Sequence, residues 1–340
     1  MMAIQPSEAG LYCHVGRKEE FWMSKRRWLD RIVCCIPLLA GSIVLAQYFL
    51  LPNYQNNEIT MVYPVFILIL LVAFMTLFIL SFFHKGCYQY LKEHVAWYTA
   101  IFLVFLLLDF VTLKKGYFTL PMFPWPDRLL NEIIIDRAQL LDCAKNSLKL
   151  LFIGYACGML AGLLTGVLAG RFKNVRYWVA PILRFLGPIP AVTWMALFFV
   201  LSSSLFKGCV LMVAYSVWYP VATGTMNAIL QVDKSYGEIA QTLGANTEAK
   251  VIFHVTVPLI MPGIFQGLTN GMRTACAPLM IAEMMGVESG LAWYITWQRG
   301  WGNFTKMYTA VAVICLVFIM VDTVLCLIRK HVLRWQEVQK

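Results

Sequence analysis

The chain has 340 residues, of which 60% are hydrophobic and 14% charged, and a formal net charge of +10. Soluble domains carry roughly 25% charged and about 45–50% apolar residues, so a soluble enzyme, a disordered tail and a disulfide-stapled secreted module are excluded. The positive surplus does not call for a nucleic acid partner, because the basic residues sit beside hydrophobic runs, where orientation in a membrane accounts for them.

A helix needs roughly 20 apolar residues to cross a hydrocarbon core about 30 Å thick. By that measure the sequence offers eight spans, at 32–51, 62–83, 95–113, 146–169, 182–202, 208–230, 259–285 and 308–328. A polar leader over 1–31 precedes the first run and no small-residue cleavage site follows it, so this run is expected to be a span rather than a cleaved signal. Eight spans place both ends on one side. The leader, the 84–94, 170–181 and 231–258 segments and the tail from Arg329 onward, which includes 331–340, hold 17 Lys and Arg against 8 in the opposite loops, which puts both termini in the cytoplasm. In the fourth span Gly154, Gly158, Gly162, Gly166 and Gly170 share one helical face, the small-residue stripe that lets a neighbouring backbone approach closely in lipid. The ten cysteines never form CxxC, and His14, His84, His94, His254 and His331 are scattered, so no metal site is expected.

The connection 231–258 reads QVDKSYGEIAQTLGANTEAKVIFHVTVP. Ser235 and Glu238 fit the capping box S-x-x-E, so a helix should begin at Tyr236. Its apolar residues Tyr236, Ile239, Ala240 and Leu243 fall on one stripe, Gly244 suits a left-handed stop, and Asn246 or Thr247 can cap a second helix running towards Pro258. Two short helices with an exposed apolar stripe suit docking onto another protein; an amphipathic turn lying on lipid headgroups is the other reading.

Glu238-Ile239-Ala240, with Gly244 and Pro258 beyond it, resembles the E-A-A loop of the transmembrane subunits of binding-protein-dependent ABC importers. Three further stretches resemble motifs of the nitrate, sulfonate, taurine and bicarbonate permease subfamily. They are Phe123-Pro124-Trp125-Pro126, Leu186-Gly187-Pro188-Ile189-Pro190-Ala191, and Ala282-Glu283-Met284-Met285-Gly286 with Ser289-Gly290-Leu291. The resemblance implies an all-α polytopic membrane protein of about eight transmembrane helices. It would consist of a six-helix type I importer permease core over 91–330 and an extra N-terminal hairpin over 32–90. It also implies that Tyr236, Glu238, Ile239, Ala240, Leu243 and Gly244 form a coupling helix seated on a separate ATPase. The chain has no G-x-x-x-x-G-K-[ST] phosphate loop, so it is expected to be no enzyme and to bind no cofactor itself, ATP and Mg belonging to that ATPase. The other implied partners are a second permease chain in a homodimer, two ATPase subunits, an extracellular or periplasmic solute-binding protein and membrane lipid, in the cytoplasmic membrane of a prokaryote. Three features depart from the pattern. Thirteen residues separate Gly244 from Pro258 where twelve are usual, Thr269 stands where relatives often carry an arginine that this chain places at Arg273, and the N-terminal hairpin has no counterpart.

Arg273 lies deep in the seventh span and should face the bundle interior. It either attracts an anionic solute or is a structural partner of Glu283, Asp322 or backbone carbonyls. Thr193, Trp194, Trp218, Tyr219, Asn227, Asn270 and Glu283 are further candidates for the pathway lining, and Pro188-Ile189-Pro190 should kink the fifth span. The solute implied by the resemblance is an organosulfonate such as taurine, or an oxyanion such as nitrate or bicarbonate, with a pyrimidine or riboflavin as the alternative. An ion-gradient-driven transporter would instead show two similar halves and mid-span carboxylates, whereas Asp109 and Asp322 are placed near span ends and no repeat is evident.

Overall fold

The computed structural model of the chain describes residues 33–54, 57–118, 120–233, 235–242 and 247–335, and among these every regular element is a helix. The chain divides into two compact units, Met1–Ile135 and Asp136–Lys340. The division falls later than the 90/91 boundary expected for the N-terminal extension, because the third apolar run packs with the first two.

The N-terminal unit contains α1 (Ile36–Leu50), α2 (Val62–Phe83), α3 (Lys85–Asp109, continued by a π turn Phe110–Lys114) and α4 (Pro126–Ile135). Val44 and Tyr48 of α1, Tyr63 and Ile67 of α2, Phe102 of α3, Leu113 and Trp125 form one buried cluster. Two buried charges clasp the turn between α1 and α2. Lys114 Nζ donates to the carbonyls of Tyr48 (2.7 Å) and Leu51 (2.8 Å) and to Asn53 Oδ1 (2.8 Å), satisfying orphan acceptors at the end of α1. Asp127 accepts from the Thr60 amide and from the Tyr63 amide (2.9 Å), doing the same for donors at the start of α2. Both placements also suit the helix dipoles, a cation at a C-terminus and an anion at an N-terminus.

The second unit contains α5 (Arg137–Arg171), α6 (Lys173–Leu186), a 3₁₀ turn (Ala191–Trp194), α7 (Met195–Leu201) and α8 (Leu205–Leu230). Next come α9 (Ser235–Thr242), α10 (Glu248–Val251), a π turn (Ile252–Thr256), α11 (Val257–Gly286), α12 (Leu291–Gly300) and α13 (Phe304–Val332). The glycine stripe of α5 lies against α8 as expected. A Cβ on Gly154 would lie 2.7 Å from Val213 Cβ, one on Gly162 2.7 Å from Val221 Cβ, and one on Gly170 2.8 Å from Ile229 Cβ. A second small-residue seam joins α8 to α11, where a Cβ on Gly224 would come within 2.9 Å of the Gly267 Cα. This leaves α5, α8 and α11 as the packed centre, around buried Leu151, Val217, Met272 and Ala275.

The exact count of eight spans is not confirmed. Within the described residues five helices are long and apolar enough to cross a membrane, and six if one bent pair is a single span. The first expected span is represented by α1, whose 15 residues cover about 22 Å, short of the hydrocarbon thickness. The seventh, α11, has 30 residues but too polar a composition to qualify, because it carries a run of exposed polar side chains described below. The fifth is a sharp break rather than a kink: α6 and the Ala191–Leu201 segment meet at 97°. Pro188 and Pro190 have no N–H to continue the ladder, and Gly187 admits the Tyr219 ring, whose Cε2 lies 2.6 Å from where a Cβ would stand.

Candidate coupling loop and solute pathway

The helix expected to start at Tyr236 begins at Ser235. The Ser235 amide donates to Asp233 Oδ1 (3.1 Å), so the capping duty assigned to Glu238 is performed by an aspartate two residues upstream. Glu238 is exposed. Tyr236 and Ile239 expose about half of their surface, 49% and 53%, while Ala240 is buried. Leu243 and Gly244 lie outside the described residues. The second helix is present as α10, and the π turn Ile252–Thr256 carries it without interruption into α11. A π turn holds one residue more than an α turn, so it takes up the extra residue between Gly244 and Pro258.

On α11, Gln266, Asn270 and Arg273 are exposed at i, i+4 and i+7, one polar face of the helix, with Ala277 continuing it. The Arg273 guanidinium grips Asp322 of α13 in a bidentate pair, Nε to Oδ1 at 2.9 Å and Nη2 to Oδ2 at 3.1 Å. The pair stays open, with 59% of the arginine side chain and 39% of the aspartate exposed. Of the partners considered for Arg273, the structure selects Asp322, which lies well inside α13 and not near its end.

The remaining candidates separate into two groups. Thr193, Asn227 and Asn270 are exposed. Trp194 and Trp218 both pack against Tyr215, with ring centroids 6.4 and 6.1 Å away, and Trp218 Nε1 donates to Thr165 Oγ1 of α5 (3.1 Å). Glu283 is 2% exposed and its Oε2 accepts from the Ala292 amide (2.9 Å), while Ser147 Oγ accepts from the Leu291 amide (2.9 Å). Together they cap α12. Gly290 is required between them: its φ is +148°, and a Cβ there would sit 2.6 Å from the Glu283 Cδ. Gln266 was missed in the sequence, although its spacing from Asn270 would have flagged it.

Residues 158–337 match the family described as the binding-protein-dependent transport system inner membrane component. The chain belongs to this family. The matched segment holds the 231–258 loop, the polar face of α11 and Asp322, and it excludes the whole N-terminal unit. Among relatives, the putative aliphatic sulfonates transport permease protein SsuC of Bacillus subtilis is 27% identical over 184 residues, 54% of this chain and 66% of that protein. The nitrate import permease protein NrtB of Synechococcus elongatus is 22% identical over 180 residues, 52% of this chain and 64% of that protein. The chain thus spans about two thirds of the length of these relatives. The crystal structure of an amino acid ABC transporter with histidines is similar at a TM-score of 0.48 and 18% identity, covering 59% of this chain and 97% of that one. The recognition made from the E-A-A loop and the proline motifs, a permease of the sulfonate and nitrate importer group, is borne out by the family match and these relatives.

Proposed function

We propose that the chain supplies half of the translocation pathway of an ABC importer for a small anionic solute, an organic sulfonate or an oxyanion, and that the α9 loop couples it to ATP hydrolysis by a separate subunit. The observation that carries this reading is the exposed face of α11. Gln266, Asn270 and the Arg273–Asp322 pair cannot face hydrocarbon at low cost, so they are expected to line a water-filled path shared with a second permease chain. A guanidinium offers a planar fork that matches carboxylate, sulfonate and nitrate oxygens. A passing anion would exchange with the Asp322 carboxylate on Arg273, which keeps the cation satisfied when no solute is present. The names of the sulfonate and nitrate relatives agree with an anion. Tyr236 and Ile239 give the loop an apolar surface for an ATPase cleft, and the solute itself would be delivered by an extracellular binding protein.

The test is uptake by proteoliposomes containing the chain, its ATPase and its binding protein, with the solute supplied as a sulfonate or as nitrate. Arg273→Gln should lower uptake at least tenfold while the ATPase remains bound, and Arg273→Lys should retain part of it. Unchanged uptake by Arg273→Gln would remove Arg273 from the pathway, and uptake driven by a proton gradient without any ATPase would refute the importer reading.

A further inference from the structure

The N-terminal unit holds a partly open cavity of about 140 Å³ whose wall includes Tyr54, Asn57, Thr112, Gly116, Phe118 and Trp125. Its size matches the roughly 150 Å³ that holds one benzene molecule in an apolar protein cavity. Three of these residues are aromatic, and none of the six is charged. Trp125 is 4% exposed, yet its indole N–H has no acceptor among the described residues, an unusual state for a buried donor. Asn57 adds an amide, which offers both a donor and an acceptor.

The frame around the cavity is held independently of any occupant. The Tyr54 amide donates to the Leu113 carbonyl (3.0 Å), the Tyr117 amide to the Val111 carbonyl (3.1 Å), and Lys114 ties down the end of α1. Gly116, at φ +61°, lets the Tyr54 ring lie where a side chain would stand, its Cγ 2.5 Å from an ideal Cβ. The nearby ammonium of Lys114 is already engaged by three oxygens, and the Arg128 guanidinium stands over the Trp125 ring rather than among the lining residues.

We propose that this cavity is a binding site for a small, flat, uncharged ring that carries a carbonyl acceptor for the Trp125 indole and a donor for Asn57. The site stands apart from the α11 pathway and does not rest on the transport reading. Water alone is the competing occupant; it would satisfy the indole but leave three aromatic walls poorly covered.

The probe is 2-pyridone, a benzene-sized ring with adjacent C=O and N–H groups. The full chain in lipid nanodiscs should bind it, seen by saturation-transfer NMR and by a raised melting temperature. Trp125→Phe, which keeps the ring and deletes the donor, should weaken binding about tenfold. Asn57→Phe, a loop substitution that fills the space, should abolish it and decides the matter if Trp125→Phe fails to fold. The absence of binding by the unaltered chain would leave water as the occupant and overturn the proposal. Equal binding by the unaltered chain and Asn57→Phe would place the probe elsewhere and overturn it too.

Discussion

A single methyl group on the α5 seam should be enough to loosen the centre of the second unit. In Gly162→Ala the new Cβ would stand 2.7 Å from Val221 Cβ and 2.9 Å from the Trp218 carbonyl, on a part of α8 where Val221 is fully buried. Carbon atoms settle at about 3.5–4.0 Å, so the two helices must part by roughly 1 Å, which forfeits about a quarter to a half of the dispersion attraction of each affected contact. Overpacking of this kind costs about 1–3 kcal/mol, and the better helix propensity of alanine returns up to about 1 kcal/mol. The expected net loss is about 1–2 kcal/mol. Gly300→Ala is the matched control, because nothing lies within 4 Å of its Cβ position. Titration of the purified chain with sodium dodecyl sulfate in mixed micelles should show an earlier unfolding midpoint for Gly162→Ala and none for Gly300→Ala. Equal midpoints for the two variants would refute the claim that the stripe sets the approach of α5 to α8.

Lys114→Met should destabilise the N-terminal unit by about 2–3 kcal/mol, since it strands two carbonyls at the end of α1, while Lys115→Met on the exposed neighbour should be silent in the same titration. Asp136 is partly desolvated, which raises its pKa, but hydrogen bonds from Lys306 and Tyr294 and the Lys306 charge outweigh this and hold its carboxyl below the usual carboxylate range. Its contribution is therefore present above the unfolded pKa of about 3.9 and is lost as pH falls through the lower folded value. Melting curves from neutral to acid pH should steepen downward below about pH 4 in the native chain and less so in Asp136→Asn. Ile239→Asp should leave the melting temperature of the isolated chain unchanged, because the side chain is half exposed, and should abolish copurification of the ATPase; retained copurification would remove α9 from that interface.

The features legible in the sequence are those carried by local periodicity. The α5 stripe, the short helix after Asp233 and the second helix leading to Pro258 all follow from spacings of three and four residues, and each stands in the fold. What the sequence concealed depends on distant partners. Arg273 and Asp322 are 49 positions apart, so spacing could count against Glu283, ten residues on and about 15 Å along the helix, but could not by itself select Asp322. Lys114 and Asp127 look like ordinary loop charges until the chain folds back and sets them against the ends of α1 and α2. The angle at Pro188-Ile189-Pro190 was underestimated because proline announces a broken ladder without saying how far the next helix turns. The composition of α11 keeps it out of the most apolar helices for a physical reason: a helix lined with polar groups on one face is less hydrophobic than one bathed in lipid.

The uninterrupted helical run from Glu248 through the π turn to Gly286 begins beside the α9 loop and carries the polar face further along. From Glu248 to Arg273 is about 38 Å of helix, so a tilt of ~10° at the loop end swings the guanidinium through roughly 6–7 Å. That sweep exceeds the length of the bond pair that fastens Arg273 to Asp322. On the proposed coupling role, leverage rather than the strength of any one contact would set how small a movement at the loop suffices to open or reseal that pair. An added residue that the π turn absorbs lengthens the lever slightly without turning Arg273 away from its partner.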